Sequence, residues 1–151
     1  MNEIIVYCDG GCRGNQEKEN IGAWGVVLIY KDNIKELSGF KINTTNNKME
    51  LTAAIEALRA IKKKDIPTKI HVDSEYVLNG ITTWIYGWLK KDFKNSTKNP
   101  VKNQELWKEL YRLKNEFDTI EFIKVKGHST NEGNNRADEL CNIEMDKNAR
   151  K

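Results

Sequence analysis

Apolar positions recur along this chain with two periods, and the switches between them mark its elements. Residues 3–9 are mostly apolar, as in a strand covered on both faces. Residues 10–20 are polar and glycine-rich and read as a loop. Residues 21–30 form a long apolar strand, Lys31-Asp32-Asn33 reads as a turn, and residues 34–42 return as a third strand, giving an antiparallel meander. Asn43-Thr44-Thr45-Asn46-Asn47 is a run of helix-capping residues. Leu51, Ala54, Ile55, Leu58 and Ile61 follow at helical spacing, and Lys62-Lys63-Lys64 falls where cations suit a helix C-terminus.

Beyond the break at Pro67, residues 69–73 make a strand, and Ser74 is suited to start a helix. Ile81, Trp84, Ile85 and Trp88 share one face of a short helix. Leu106, Leu110, Leu113 and Phe117 share another, with Asn103 as its expected cap. Residues 119–125 alternate as a fifth strand, and a last helix from about Asn134 turns Ala137, Leu140, Cys141 and Met145 inward. A strand–helix–strand crossover makes strand 69–73 parallel to a neighbour. With strand 3–9 as that neighbour, Asp9 and Asp73 end adjacent strands, at the edge where open α/β sheets bind ligands. Without repeats or linkers, the chain is expected to be one α/β domain spanning 1–151.

Four acids fall at or beside that edge. Asp9 and Asp73 close strands, Glu50 lies in the first turns of the long helix, and Asp138 lies on the last helix. Carboxylates gathered at one place repel each other unless cations join them, which points to a divalent-metal site.

Composition narrows the partners only slightly. A net charge of +3 is a weak pointer to a polyanion, so the distribution of charge matters more. Lys90, Lys91, Lys94, Lys98 and Lys102 fall within thirteen residues, opposed only by Asp92, with Trp84, Trp88 and Phe93 beside or among them. Cations for phosphates next to flat apolar rings read as a nucleic-acid handle. Cys8, Cys12 and Cys141 lack paired spacing and are expected to be reduced thiols. Glu3 interrupts the start, so no signal peptide is expected, and a cytoplasmic location follows. No apolar run approaches the ~20 residues of a membrane helix. His71 and His128 stand at no zinc-ligand spacing from the cysteines.

Five blocks now carry a resemblance. Tyr7-Cys8-Asp9-Gly10-Gly11, Thr44-Thr45-Asn46-Asn47-Lys48-Met49-Glu50-Leu51, Val72-Asp73-Ser74-Glu75-Tyr76-Val77, Lys126-Gly127-His128 and Arg136-Ala137-Asp138-Glu139-Leu140 resemble the type 1 bacterial ribonucleases H, in that family's order and spacing. The resemblance covers the chain almost end to end. It implies a ribonuclease H-like fold: a five-stranded mixed sheet, three antiparallel strands then two parallel, flanked by helices. It also implies a monomeric enzyme that hydrolyses the RNA strand of RNA–DNA hybrids, leaving 5′-phosphate and 3′-hydroxyl ends.

The implied chemistry uses two Mg²⁺ ions with substrate, or Mn²⁺ in their place, roughly 4 Å apart about an already anionic phosphodiester. By resemblance Asp9 bridges the ions, Asp73 and Glu50 hold one side and Asp138 the other, and Glu50 touches the adjacent 2′-hydroxyl. His128, on a glycine-containing loop, would shuttle protons for the leaving group, since imidazole titrates near neutrality. Substrate contacts are implied at Cys12, Asn15, Asn46 and Glu75 along the hybrid's minor groove. Thr45 and Asn103 would take a DNA-strand phosphate, and Trp84, Trp88, Lys90, Lys91 and Lys94 would form the basic protrusion.

Two positions depart from the family's pattern. Glu75 stands where Gln is usual, and a carboxylate cannot donate into the groove; Asn135 stands where an acid is usual near Asp138. A DNA-directed nuclease of the same superfamily would use similar acids, but the Thr-Thr-Asn-Asn block and the basic protrusion favour hybrid. A non-catalytic hybrid-binding module would not need four acids and His128. Aspartyl-phosphate transfer wants a second acid at position 11, which is Gly.

Overall fold

The computed structural model describes residues 2–14, 20–95, 97–125 and 132–148. Its five strands are β1 (Ile4–Arg13), β2 (Ile21–Tyr30), β3 (Asn33–Ile42), β4 (Thr68–Val72) and β5 (Ile120–Lys124), in the spatial order β3-β2-β1-β4-β5. β2 is antiparallel to both β1 and β3, whereas β4 is parallel to β1 and β5 to β4. This is the expected mixed sheet.

Alternation along β1 sorts its side chains between two layers. Ile4, Val6 and Cys8 are buried against α1 (Asn46–Ala60), whose Leu51, Ala54 and Leu58 are fully buried. Small Ala53, Ala54 and Ala57 let α1 lie close on the sheet. The opposite face is covered by α5 (Glu132–Asn148), where Ala137, Leu140, Cys141 and Met145 pack on Ile21, Ala23 and Val27 of β2. The inward residues of both helices are those expected from their spacing.

Four expectations need correction. First, β1 does not stop at Asp9 but runs on to Arg13, because β2 supplies a partner for each further residue, from Asp9↔Gly25 to Arg13↔Ile21. Glycine lowers strand propensity, yet a complete ladder overrides it. The parallel pairing with β4 does end at Cys8↔Val72, so β1 and β4 part immediately before Asp9 and Asp73.

Second, the helix expected over 81–88 is not separate but continues one that begins at Ser74, where a helix start was expected. Ser74 Oγ accepts from Val77 N at 3.1 Å and starts α2 (Glu75–Asn79), which passes through a wide π turn (Gly80–Trp84) into α3 (Ile85–Lys90). The turn sits where Gly80 lies against the buried Trp107 ring; a Cβ at Gly80 would come within 2.0 Å of that ring. Third, α1 ends at Ala60, so Lys62-Lys63-Lys64 lie beyond it and Arg59 is the cation of the last turn. Fourth, the remaining helix, α4 (Gln104–Lys114), stops before Phe117, which is buried past its end.

Candidate active site and substrate-facing surface

The parting of β1 from β4 puts Asp9 and Asp73 side by side, one residue past the last parallel pair. Gly10 then brings in the third acid. A Cβ at Gly10 would lie 2.4 Å from the Met49 carbonyl carbon and 2.6 Å from Glu50 N, so α1 rests directly on the β1 backbone. That approach lets Gly10 N donate to Glu50 Oε1, and it also donates to Asp9 Oδ1 at 3.0 Å. The fourth acid arrives with α5: Cys141 Sγ donates to the Asp9 carbonyl, anchoring the helix turn that carries Asp138. Asn142 Nδ2 donates to the Asp138 carbonyl at 3.2 Å and to Oδ2 at 3.4 Å, holding that carboxylate from one turn on.

The carboxyls meet pairwise, Asp9 with Glu50 and Asp9 with Asp138, while Glu50 also feels the charge of Asp73. Burial pushes Asp9 up, to about 6, although a hydrogen bond from Glu50 pulls the other way. Glu50 goes further, to about 9, through burial first and the neighbouring Asp9 charge second. Such shifts mark negative charge held together without enough compensation. On the opposite side, Lys124 Nζ stands 3.5 Å from Asp73 Oδ1.

Among the described residues no three His, Cys, Asp or Glu side chains already encircle a common point as metal ligands. The donor chemistry nonetheless selects a class of ion. Cys8 and Cys141 lie under the cluster as thiols, since burial and then the adjoining carboxylates push both well above their ordinary range. Ligands at this edge are therefore carboxylate oxygens, which suit a hard divalent cation and not a thiolate-seeking one.

The substrate residues implied by resemblance fall into two patches. Thr45 caps α1, its Oγ1 accepting from Lys48 N at 3.1 Å, and exposed Asn46 follows. Cys12 lies on the extension of β1, with Sγ directed at the Thr44 carbonyl. Asn103 lines a cleft of ≈ 460 Å³ with Lys41 and Lys48. The second patch is a cleft of ≈ 280 Å³ lined by Trp84, Trp88, Lys91 and Lys94. Lys90 is exposed at the end of α3, and Glu75 is exposed at the start of α2. Asn15 and His128 lie outside the described residues.

Two roles change. Asn103 stands at the N-cap position of α4 but does not cap it; it has a left-handed φ of 61°, and its Nδ2 donates to Tyr76 Oη at 3.1 Å. Phe93 offers no face to a ligand: it is only 5% exposed and packs on Trp88, whereas Trp84 is 41% exposed.

Sequence reading missed several residues. Tyr76 Oη accepts from both Asn103 Nδ2 and Trp107 Nε1, tying α2 to the start of α4. Lys48 carries a signal that was legible, because a cation in the first turn opposes the helix dipole and suggests an anion nearby. Asn20 grips the loop before α1 at both edges of Thr44, accepting from its N–H at 2.8 Å and donating to its carbonyl at 3.0 Å. Nothing in the spacing announces that grip.

Known proteins were compared with this chain. The RNase H family model matches residues 1–145. The Ribonuclease H of Ruthia magnifica subsp. Calyptogena magnifica is 50% identical over 147 residues, covering 97% of this chain and 98% of that protein. The Ribonuclease H of Acetivibrio thermocellus is 47% identical over 152 residues, covering 100% of each. Among solved structures, LC9-RNase H1, a type 1 RNase H with the type 2 active-site motif, is similar at 31% identity. Its TM-score is 0.78, covering 95% of this chain and 72% of that one. The RNase H1 of Halobacterium salinarum NRC-1 matches at 27% identity and TM-score 0.72, covering 96% and 98%. Family model and full-length relatives agree over the span that carries the four acids and the sheet beneath them, and the chain belongs to the RNase H family.

Proposed function

We propose that this protein is a metal-dependent endoribonuclease that hydrolyses the RNA strand of RNA–DNA hybrids, leaving 5′-phosphate and 3′-hydroxyl ends. The observation that carries the reading is the meeting of Glu50 and Asp138 at Asp9, with Asp73 alongside, where β1 and β4 part. Asp9, Glu50, Asp73 and Asp138 would hold the ions, Mg²⁺ by preference for carboxylate oxygens and retained waters, with Mn²⁺ as a substitute. When bound, two such ions supply charge neutralisation at the scissile phosphate and a more acidic attacking water.

The chain's own groups do the remaining work. The Gly10 N–H orients Glu50, and the Cys141 thiol fixes α5 so that Asp138 faces Asp9. His128 would pass a proton to the leaving oxygen. Thr45, Asn46 and Cys12 would meet the hybrid beside the acids, together with Asn15 and Glu75. Asn103, with Lys41 and Lys48, would take a phosphate of the DNA strand. Trp84 and Trp88 would offer apolar faces while Lys90, Lys91 and Lys94 meet backbone phosphates further along. The same reading treats residues 1–151 as one catalytic domain acting as a cytoplasmic monomer; the free thiols of Cys8, Cys12 and Cys141 are in keeping with a reducing compartment.

The test is cleavage of an end-labelled hybrid beside duplex RNA, duplex DNA and single strands, with each divalent ion and with chelator. Ion-dependent cutting within the RNA of the hybrid alone is expected. Equal cutting of duplex DNA would favour the DNA-directed reading, and binding without cutting would favour a non-catalytic module.

A further inference from the structure

Lys124 is the last residue of β5, and its register partner on β4 is Val72, the residue before Asp73. The backbone is fixed there, since Val125 N donates to the Val72 carbonyl at 3.0 Å. From that position one ammonium makes two contacts with a single residue. Lys124 Nζ donates to the Asp73 main-chain carbonyl at 2.5 Å and lies 3.5 Å from its Oδ1. Side-chain exposure is 37% for Lys124 and 32% for Asp73, so solvent screens part of the attraction but not all of it.

A lysine at a strand end is free to extend into water, where its ammonium is best solvated. This one folds back onto an acid cluster whose other members already crowd together. We propose that Lys124 is a resident counter-cation for Asp73, weakening divalent-ion binding on that side of the cluster while no nucleic acid is bound. An ion arriving at Asp73 must face the ammonium or displace it, and either lowers its affinity. A backbone phosphate brings a negative charge that the ammonium can meet instead, freeing Asp73 for the ion. Ion and nucleic acid therefore each strengthen the other's binding, as linkage requires. The inference rests on the metal-dependent hybrid cleavage proposed above.

The experiment is calorimetric titration of Mg²⁺, and separately Mn²⁺, into the hybrid-free full chain. Lys124→Met removes the charge and keeps the stem, and should tighten binding about three- to tenfold, the range left after screening of a partly exposed pair. Lys124→Arg keeps the charge and should behave as the wild type. In an Asp73→Asn background the main-chain carbonyl still holds Lys124 but the carboxylate it neutralises is gone, so Lys124→Met should tighten ion binding clearly less than it does in the wild type. Circular dichroism checks each fold, and Lys124→Gln replaces the Met variant if that fails to fold. Unchanged or weaker ion binding in the uncharged variant, or tightening of undiminished size in Asp73→Asn, overturns the proposal. Hybrid cleavage by the wild type is measured alongside: cleavage with unaltered affinity in the variant overturns this inference alone, whereas no cleavage overturns the reading beneath it.

Discussion

Gly10 donates its backbone N–H to the Glu50 carboxyl across 40 residues of sequence, and it can do so only because it has no side chain. A Cβ there would lie 2.4 Å from the Met49 carbonyl carbon, within main chain that has no flexible end to yield. Gly10→Ala is therefore expected to push α1 from β1, at about 1–3 kcal/mol of stability, the usual scale for overpacking. It should also cut hybrid cleavage more than tenfold, because Glu50 moves with the helix. Gly11 has open space at the same test and is the control. If Gly11→Ala is as damaging in melting and turnover as Gly10→Ala, the close-approach argument is wrong.

Glu50 sets a pH dependence in the ion-free protein. Its ordinary value is 4.5, and burial with Asp9 alongside raises it to about 9 in the fold. Between those values the folded state keeps a proton that the unfolded chain has released. Stability from this group is full below 4.5 and declines as pH rises towards 9. Urea unfolding in chelator, from about pH 5 to about pH 9, should show wild-type stability falling with pH and Glu50→Gln falling less. Added divalent ion should lessen the fall in wild type, since a cation favours the ionised carboxyls. Parallel profiles for wild type and Glu50→Gln would remove the buried-carboxyl account.

Trp84 and Phe93 are both aromatic neighbours of the lysine cluster, but the fold separates their roles. Trp84 is 41% exposed beside Lys91 and Lys94, whereas Phe93 is 5% exposed against Trp88. Trp84→Ala should raise KM for hybrid with little change in melting, since base or sugar stacking is worth about 1–3 kcal/mol. Phe93→Ala should instead cost about 3–5 kcal/mol of stability, as other buried phenylalanines do. Reversing charge at Lys91 and Lys94 should flatten the salt dependence of binding. An unchanged salt slope would discard the handle.

What the sequence disclosed and what it concealed divide along a physical line. The positions of Asp9, Glu50, Asp73 and Asp138 on or beside their elements were readable because local alternation and capping residues placed them. The crossover rule made β4 parallel to a neighbour without fixing β1 as that neighbour, which the sheet pairing supplies. The continuation of β1 through Gly10 and Gly11 was not readable, because it depends on a ladder to β2 rather than on local propensity. Asn103 looked like a cap because Asn often is one; its amide turns to Tyr76, whose hydroxyl becomes available only when α2 packs against α4. Lys124 gave no sign either, since its contact is with the residue just past the end of a neighbouring strand, and only the β4–β5 register brings the two together.

Asn20 offers the last test, of how the loop bearing Thr45 and Asn46 is held. Its side chain makes a reciprocal pair with the Thr44 backbone, N–H at 2.8 Å and carbonyl at 3.0 Å, while its own carbonyl accepts from Asn43 N at 2.9 Å. Substitution leaves that last bond intact and removes only the pair, so the loop should loosen without detaching. Two such bonds are worth about 0.5–1.5 kcal/mol each. Asn20→Ala is thus expected to raise KM for hybrid roughly three- to tenfold, with kcat nearly unchanged, because Thr45 and Asn46 lose their fixed position while Glu50 stays pinned by Gly10. Asn20→Asp can accept from Thr44 N but cannot donate to its carbonyl, and should fall between the two. A drop in kcat at constant KM would place the effect at the acids and refute a loop-positioning role.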